Sequence, residues 1–599
     1  MADAPRPTSR LLIANRGEIA IRIARSAAEL GVHTVAVYPA DDAECLHVRS
    51  ADEARALPGT GAAAYLDVEQ IISAARASGC DALHPGYGFL SENAAFARRC
   101  AEADVRFVGP RPEILELLGD KVQARALAER TDVPLLGGSR EPASLEDARK
   151  FFESLPAGGS MLIKAVAGGG GRGLRAVESL DALDEAYARC QSEARAAFGS
   201  PAVYVEQRMP RARHIEVQVV GDGSGAVAQL GERDCSIQRR HQKLVEIAPA
   251  PDVPGALLER IRAAALRMAR ALRYDSLGTF EFLVDARRPL DDASPFAFIE
   301  ANPRLQVEHT VTEEVTGIDL VRVQLELAAG RTLAELRLSQ DEVPAPRGCA
   351  IQLRINLETM EADGSARPSA GTLAALALPS GPGVRVDTCA YAGYRTSALY
   401  DSLLAKLIVR STASALDVAA RKAERALAEL RIEGVPSNAG FLRALLRDPA
   451  FLAGDLHTRF LEEHGARIHA QVTPESAPVE NSAASRRLAG ARIDASDPLA
   501  VLSYGQSART RAPAERAVPR APDGSVALEA PLQGTVVSLG VAEGEAVRAG
   551  QALLVMESMK MEYAYRAPSA VYVEKILVKE GDTLTKGQVF FALREQRSA

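Results

Sequence analysis

The chain has 599 residues, 47% of them hydrophobic, and a net charge of −7, which suits several domains with buried cores and is the wrong sign for binding nucleic acid through bulk electrostatics. Seven scattered cysteines without a CxxC pair, and nine histidines without HExxH spacing, argue against a disulfide frame or a zinc motif and fit the reduced thiols of a cytoplasmic protein. No apolar run approaches the ~18 residues of a membrane span, and the polar stretch 1–10 lacks the apolar core of a signal peptide. In chain order, an apolar strand from Leu11 to Ala14, a helical pattern from Glu18 to Leu30 stopped by Gly31, and a second strand from Thr34 to Tyr38 form one βαβ unit. The rhythm continues through Ile71 to Ala77 and a strand at Phe107-Val108-Gly109, which predicts an open parallel sheet with helices on both faces. The turn Asn15-Arg16-Gly17-Glu18 is not GxGxxG, so no dinucleotide site is read there. A second region begins near Lys121, and a strand-richer third runs from about Tyr204 to Glu433. From about Gln471 to Pro522 the composition shifts to Ala, Ser, Pro and Arg and reads as mostly linker, with one apolar island at 498–502.

Five glycines in the six residues 168–173 follow a strand at Met161 to Lys164. Bare backbone amides there can wrap phosphate oxygens. There is no Walker A pattern, so a surface loop is at least as good a reading of the run alone. Lys164 and Lys121 add point charge beside it. Glu281, in Thr279-Phe280-Glu281-Phe282, and Glu300, in Phe298-Ile299-Glu300, sit on strands and point away from their apolar neighbours. Facing each other, they would repel and raise one pKa unless cations lay between them. Hard oxygen ligands suit magnesium, and Asn302 offers a third oxygen; the plainer alternative is two solvent-facing strand residues.

The densest polar patch is 302–309. A period of two puts Arg304, Gln306 and Glu308 on one face and turns Leu305 and Val307 to the core. A guanidinium and a carboxylate separated by one amide can hold a small anion and take its proton. The same period recurs at His214-Ile215-Glu216-Val217-Gln218. The basic segment from Glu232 to Lys243 reads either as a solvated loop or as a polyanion cradle.

The C-terminal part contains a near-repeat: a stretch starting at Ala530-Pro531 returns at Ala567-Pro568, matching Val541 with Val578, Gly544 with Gly581, Gly550 with Gly587 and Gln551 with Gln588. Each half alternates apolar and polar residues and breaks at Glu-Gly-Glu or Glu-Gly-Asp turns. Two such halves predict a flattened β-sandwich with Lys560 presented between them. The flanking Met559 and Met561 suit a partner surface better than bare solvent.

The string Val555-Met556-Glu557-Ser558-Met559-Lys560-Met561-Glu562 resembles the biotin carboxyl carrier domain, with Ser558 where that family usually has Ala. The motifs KAVAGGGGRG, HIEVQV, ERDCSIQRRHQK, FEF, FIEANPRLQVEH and YDSLLAKL occur in the order found in biotin carboxylase, an α/β enzyme of the ATP-grasp fold, over about residues 8–465. Together the two resemble the α subunit of a biotin-dependent acyl-CoA carboxylase. The resemblance implies a pre-ATP-grasp open sheet at 8–121, an ATP-grasp region at 122–330 with a lid at about 135–205, and a C-terminal α+β part at 331–465. A mostly flexible linker at 466–525 and an all-β biotinyl domain at 526–595 would complete the chain.

In that family ATP phosphorylates bicarbonate to carboxyphosphate, whose carbon dioxide is captured by biotin. Carried over by motif, Glu308 is the general base on bicarbonate, which Arg304, Gln306, Val307 (through its backbone) and Lys243 hold. Arg354 stabilises the ureido oxygen of biotin. Glu281, Glu300 and Asn302 bind two magnesium ions, for which manganese can substitute. ATP lies among Lys121, Lys164, Gly169, Gly170, Gly171, Glu206, Gln207, Met209, His214, Gln238, His241, Glu281 and Glu300. Two positions depart from the family: Gln207 stands where Lys is frequent, and Leu357-Glu358-Thr359 replaces Ala-Glu-Asp. Lys560 is the biotinylated residue, modified by a biotin protein ligase. A linker of roughly 50 residues has a root-mean-square reach of about 40 Å, so the carrier travels bodily to a second site on a separate carboxyltransferase β subunit. A homodimer or higher oligomer through the biotin carboxylase part is expected. The acceptor is acetyl- or propionyl-CoA, with pyruvate or another 2-oxo acid as the nearest rival and a non-catalytic carrier scaffold as the reading from another class.

Overall fold

The opening strands carry apolar residues on both faces, as a parallel sheet covered by helices requires. β1 (Arg10–Ile13), β2 (His33–Pro39), β3 (Glu53–Leu57), β4 (Ala82–His84) and β5 (Arg106–Phe107) form an all-parallel sheet in the order β3-β2-β1-β4-β5. Leu11, Leu12 and Ile13 are fully buried, and the helix Gly17–Glu29 packs Ile19, Ile23 and Ala27 into the same core. Asn15, buried in the turn after β1, donates to the carbonyls of Pro85 (2.7 Å) and Tyr87 (2.9 Å) after β4. This computed structural model describes residues 7–156, 158–166, 173–361, 364–397, 399–472, 526–530, 534–558, 561–584 and 587–595. Gly169, Gly170, Gly171, Lys560 and nearly all of the expected linker lie outside the described residues.

β6 (Met161–Ala165), β7 (Leu174–Val177) and β8 (Val203–Gln207) make a small antiparallel sheet in the order β7-β6-β8, with the helices Leu145–Glu153 and Leu183–Phe198. It has a core of its own, built from Met161, Ile163, Val177, Leu183, Cys190 and Val205.

The site is positioned by an eight-stranded antiparallel sheet. Its strands are β9 (Ala212–Asp222), β10 (Val227–Arg239), β11 (Gln242–Ala248), β12 (Asp275–Asp285), β13 (Phe296–Asn302) and β14 (Cys349–Asn356). After β15 (Glu358–Met360), β16 (Ala366–Pro368) and β17 (Ala375–Ala377), β18 (Val384–Thr388) and β19 (Leu403–Ser411) complete it; β20 (Arg431–Glu433) pairs with β17. The order is β13-β12-β9-β10-β11-β14-β19-β18. β11 pairs with β14 from Val245↔Leu353 to Ala248↔Ala350, so one sheet runs across the expected boundary near residue 330. Period two sorts the faces: Ile215, Val217, Val219, Phe280, Phe282 and Val284 enter one core with the helix Gly255–Ala271, and His214, Glu216, Gln218 and Glu281 face the other way.

Where a linker is expected to begin at 466, the helix Phe460–Ala470 continues instead, because Phe460 and Ile468 are fully buried in the core formed with β14 and β19. The C-terminal unit is the expected flattened sandwich. β21 (Val526–Glu529), β22 (Gly534–Leu539), β23 (Ala546–Val547), β24 (Ala552–Ser558), β25 (Met561–Arg566), β26 (Val571–Ile576), β27 (Thr583–Leu584) and β28 (Val589–Glu595) form two four-stranded sheets, β21-β28-β26-β23 and β25-β24-β22-β27. Leu553, Leu554, Met556, Val573, Phe590 and Phe591 fill the space between them. The repeat is visible in the backbone: Gly544 and Gly581 have φ of 83° and 87°, and Gly550 and Gly587 have 80° and 81°, conformations that glycine takes without steric cost. Register places Ser558 opposite Met561 at the end of the β24–β25 pair, on either side of Met559 and Lys560.

Candidate active site

Glu281 on β12 and Glu300 on β13 are register partners, and β9 brings Glu216 alongside Glu281. Lys243 on β11 reaches into this group, its Nζ donating to Glu216 Oε2 (2.6 Å), Glu281 Oε1 (3.1 Å) and Glu308 Oε1 (2.6 Å). Burial works against the Lys243 charge, but the surrounding acidic groups, Cys235, Glu216, Glu281 and Glu308, overcome it and hold its pKa well above the usual range. The other oxygen of Glu308 accepts from Arg354 Nη2 at 3.0 Å. Burial alone would raise the Glu308 pKa; Lys243, Arg354 and Arg233 reverse that and drive it far below the usual carboxylate value. Arg354 also holds Glu246, with Nε 2.6 Å from Oε1.

The expected repulsion between Glu281 and Glu300 does not raise either group. Burial opposes both charges. Lys243 and His214 nevertheless lower Glu281, and Lys121 lowers Glu300. His214 Nε2 lies 2.6 Å from Glu281 Oε2, and Lys121 Nζ lies 3.0 Å from Glu300 Oε2. Asn302 Nδ2 donates to Glu281 Oε1 at 2.9 Å. Two ionised carboxylates side by side with an amide are a donor set that fits a hard divalent cation.

Residues 303–308 are not the strand that their period suggests. Pro303 cannot donate to a ladder, so β13 stops at Asn302 and an irregular segment leads into the helix His309–Thr316. Leu305 is fully buried as expected, but Val307 is only partly so. Arg304 Nη1 donates to Gln306 Oε1 (2.9 Å), and its Nε lies 3.3 Å from Glu92. Gln306 Nε2 is buried without a hydrogen-bond partner among the described residues, which leaves a donor beside Arg304 available to an anion. The Val307 carbonyl accepts from the fully buried Lys406, which also lies 3.0 Å from Glu18.

The basic segment before Lys243 is a hairpin, not a solvated loop: Arg239 pairs with Gln242 across Arg240 and His241. Both tip residues have positive φ, 45° and 67°, a two-residue turn that normally takes Asn-Gly. Strain of this kind concentrates at functional sites, and it falls here on the two residues just before Gln242 and Lys243. Gln238 Nε2 lies 2.7 Å from His214 Nδ1. Lys164 on β6 donates to Glu206 on β8 at 2.5 Å, and Arg125 binds the other oxygen of Glu206. Gln207 and Met209 are partly exposed where β8 ends, with Gln207 N donating to Gly137 O at 2.7 Å. The departure at 357–359 keeps a working Glu358, buried 2.7 Å from Arg239.

The sequence reading assigned no role to Glu216, Glu246, Glu92, Arg233, Arg125 or Lys406. Arg233 is fully buried, binds Glu216, and donates to Gln218 (2.9 Å), Thr312 (2.9 Å) and Thr279 (3.1 Å). The one local signal was at Glu216, which alternates with His214 and Gln218 on β9; Arg125 lies on a helix and Glu92 in a turn, where no such period runs.

Four family models match the chain. They are described as biotin carboxylase N-terminal domain over residues 7–115, carbamoyl-phosphate synthase L chain ATP binding domain over 120–336, biotin carboxylase C-terminal domain over 352–463, and biotin-requiring enzyme over 522–593. Mitochondrial pyruvate carboxylase of Mus musculus is 46% identical over 464 residues, 77% of this chain; the match spans 38% of the mouse enzyme, well under half the length of the curated relatives. The biotin carboxylase domain dimer of Hydrogenobacter thermophilus 2-oxoglutarate carboxylase, in complex with MgADP, ADP and bicarbonate, is 39% identical. Its TM-score is 0.73, over 77% of this chain and 99% of that one. A single-chain, multi-domain long-chain acyl-CoA carboxylase is 41% identical with a TM-score of 0.67, over 99% of this chain and 51% of that one.

Proposed function

The chain belongs to the biotin-dependent carboxylases, as a biotin carboxylase followed by a biotinyl domain, and from that premise we propose that residues 8–465 use ATP and bicarbonate to carboxylate a biotin carried on Lys560. The observation that carries the reading is Glu308, buried and ionised between Lys243 and Arg354, four residues from Arg304 and two from the unpartnered Gln306 Nε2. Bicarbonate there accepts from Arg304, Gln306 and Val307 N and yields its proton to Glu308; Lys243 steadies the phosphoryl group as it arrives. Positioning and charge neutralisation are what phosphoryl transfer needs. Lys121, Lys164, Glu206, Gln207, Met209, His214, Gln238, His241 and the glycine run at 169–171 surround the nucleotide. Glu281, Glu300 and Asn302 would hold magnesium, which supplies neutralising charge at the phosphates when bound. Biotin, once attached, supplies a nitrogen that accepts the carboxyl group, and Arg354 polarises its ureido oxygen. The MgADP and bicarbonate in the 2-oxoglutarate carboxylase domain support this assignment, and the dimer in that structure supports a homodimer here.

The final acceptor is an acyl-CoA, acetyl- or propionyl-CoA first, carboxylated by a separate carboxyltransferase subunit. Support comes from the long-chain acyl-CoA carboxylase, which matches 99% of this chain, carrier included, whereas the pyruvate carboxylase likeness ends at 77%. A second reading, the ATP-dependent half of a 2-oxo acid carboxylase, is favoured by the 46% identity to pyruvate carboxylase. Capture of the biotinylated chain on a streptavidin-type resin, followed by labelled-bicarbonate fixation with the co-purifying transferase, tests this. Label in propionyl- or acetyl-CoA products supports the first reading, and label in oxaloacetate or another 2-oxo acid product replaces it. Absence of bicarbonate-dependent ATP cleavage with free biotin would remove the enzyme reading altogether.

A further inference from the structure

One cluster outside the active site has ligand chemistry that the carboxylation does not use. Asp455 and His457 lie in the connection between the helices Pro449–Leu452 and Phe460–Ala470, and His464 lies on the second of these. One ligand atom from each of the three lies within 4.8 Å of the other two. His457 is fully buried, and neither of its ring nitrogens has a hydrogen-bond partner; His464 Nε2 is likewise buried and unpartnered. Buried polar atoms without partners are rare in folded proteins and ask for an explanation. The nearest acid to His457 is Glu463, whose Oε2 is 3.6 Å from Nε2, beyond hydrogen-bond reach. Arg211, just before β9, lies 2.7 Å from Asp455 Oδ1 and 3.7 Å from Glu463 Oε2. Arg467 lies 3.3 Å from His464 Nδ1 while it holds Asp448 at 2.7 Å.

We propose that Asp455, His457 and His464 form a site for a divalent transition-metal ion of the zinc class. Two imidazoles with a carboxylate are a borderline donor set that favours zinc, cobalt or nickel over magnesium, which prefers all-oxygen surroundings. Around a tetrahedral ion at about 2.0–2.1 Å the ligand atoms sit about 3.3 Å apart, so the cluster closes by at most about 1.5 Å. Arg211 on Asp455 is the outer-shell partner that ligating carboxylates commonly keep. Thr458 N donates to Ala212 O at 2.8 Å, so the ion would clip the last connection of the unit beside the first residue of β9. Sequence spacing misses the site because the two histidines straddle a helix start and match no HxxxH pattern.

The test uses the full chain, stripped with a chelator and titrated with Co2+ alone, beside the variants His464→Gln and Asp455→Asn. Glu281 and Glu300 are intact in all three proteins, so any metal they take cancels in the difference. The expected result is one equivalent of Co2+ with the intense visible absorption of a low-symmetry nitrogen-ligated site, displaced by Zn2+. Affinity should be weakened about tenfold or more in each variant. Asp455 is exposed, and its substitution leaves the packing untouched; an unchanged melting curve in chelator confirms that the variant is folded. Absence of the absorption in the parent chain, or equal affinity in the parent and both variants, overturns the site.

Discussion

Lys243 Nζ and Glu308 Oε1 lie 2.6 Å apart with almost no access to solvent, and the same ammonium also touches Glu216 and Glu281. One cation on β11 thus joins the proposed base to the proposed metal ligands. Glu308→Gln keeps the shape of that junction and removes its proton acceptor. Bicarbonate- and biotin-dependent ATP cleavage is expected to fall on the order of 10²–10⁴-fold, with KM for ATP nearly unchanged, as read in a coupled ADP assay.

The pKa directions set a pH window for stability. Glu308, Glu281 and Glu300 are depressed in the folded state, so their contribution is present above the unfolded carboxylate value of about 4.3 and is lost as pH falls through the lower folded values. Lys243 is raised, so its contribution is present below the unfolded lysine value of about 10.4 and is lost as pH climbs past the higher folded one. Melting temperatures of wild type and Glu308→Gln are expected to converge as pH drops below about 4. A gap that stays constant across that range would contradict the assignment.

Arg233→Met removes the only fully buried guanidinium among the described residues and leaves Glu216 balanced by Lys243 alone. Breaking one partner out of a buried ion pair costs about 3–5 kcal/mol. The unfolding midpoint of the biotin carboxylase unit in urea is expected to drop accordingly, and Arg233→Lys should recover part of the loss.

Glu300→Gln leaves Lys121 without its carboxylate and deprives the site of one hard ligand. An interaction with a charged group is worth about 1.5–3 kcal/mol. The magnesium concentration for half-maximal ATP cleavage should therefore rise roughly tenfold to a hundredfold.

Leu553→Ala empties a fully buried position between the two sheets of the carrier. A loss of about 2–5 kcal/mol is expected there. Because the carrier is a separate compact unit, ATP cleavage with free biotin should be unchanged while biotinylation of the chain declines, as followed by intact mass.

How far the sequence was readable depends on the range of the interaction. Glu281 was legible because it sits between Phe280 and Phe282, and alternation turns it from their core; Glu300 needs more than alternation, since Phe298 enters that same core and an irregularity at Ile299, where Glu281 pairs with Glu300 but Phe282 with Phe298, brings Glu300 to the face of Glu281. The glycine pairs of the carrier were legible because the turn chemistry recurs in the same place in both halves. Residues 303–308 were misread because the alternation continues past Pro303 although the ladder cannot. The partners of Arg233 were out of reach: Gln218, Thr279 and Thr312 come together only when three strands and a helix assemble, and nothing local to Glu232-Arg233-Asp234 announces them. The linker start was legible in composition, which shifts at about Gln471, one residue past the helix Phe460–Ala470; the span beginning at 466 cuts into that helix, where Ile468 is fully buried.

The β11–β14 pairing has a consequence for anyone dividing this protein. Family models end one segment at residue 336 and begin the next at 352, yet Val245 and Leu353 are neighbours in one continuous ladder, and Glu246 holds Arg354 across it. Expressing the two pieces apart would expose two raw strand edges, each a template for self-association, and would part Arg354 from the carboxylate that aims it. The seam in the alignment is a weld in the molecule.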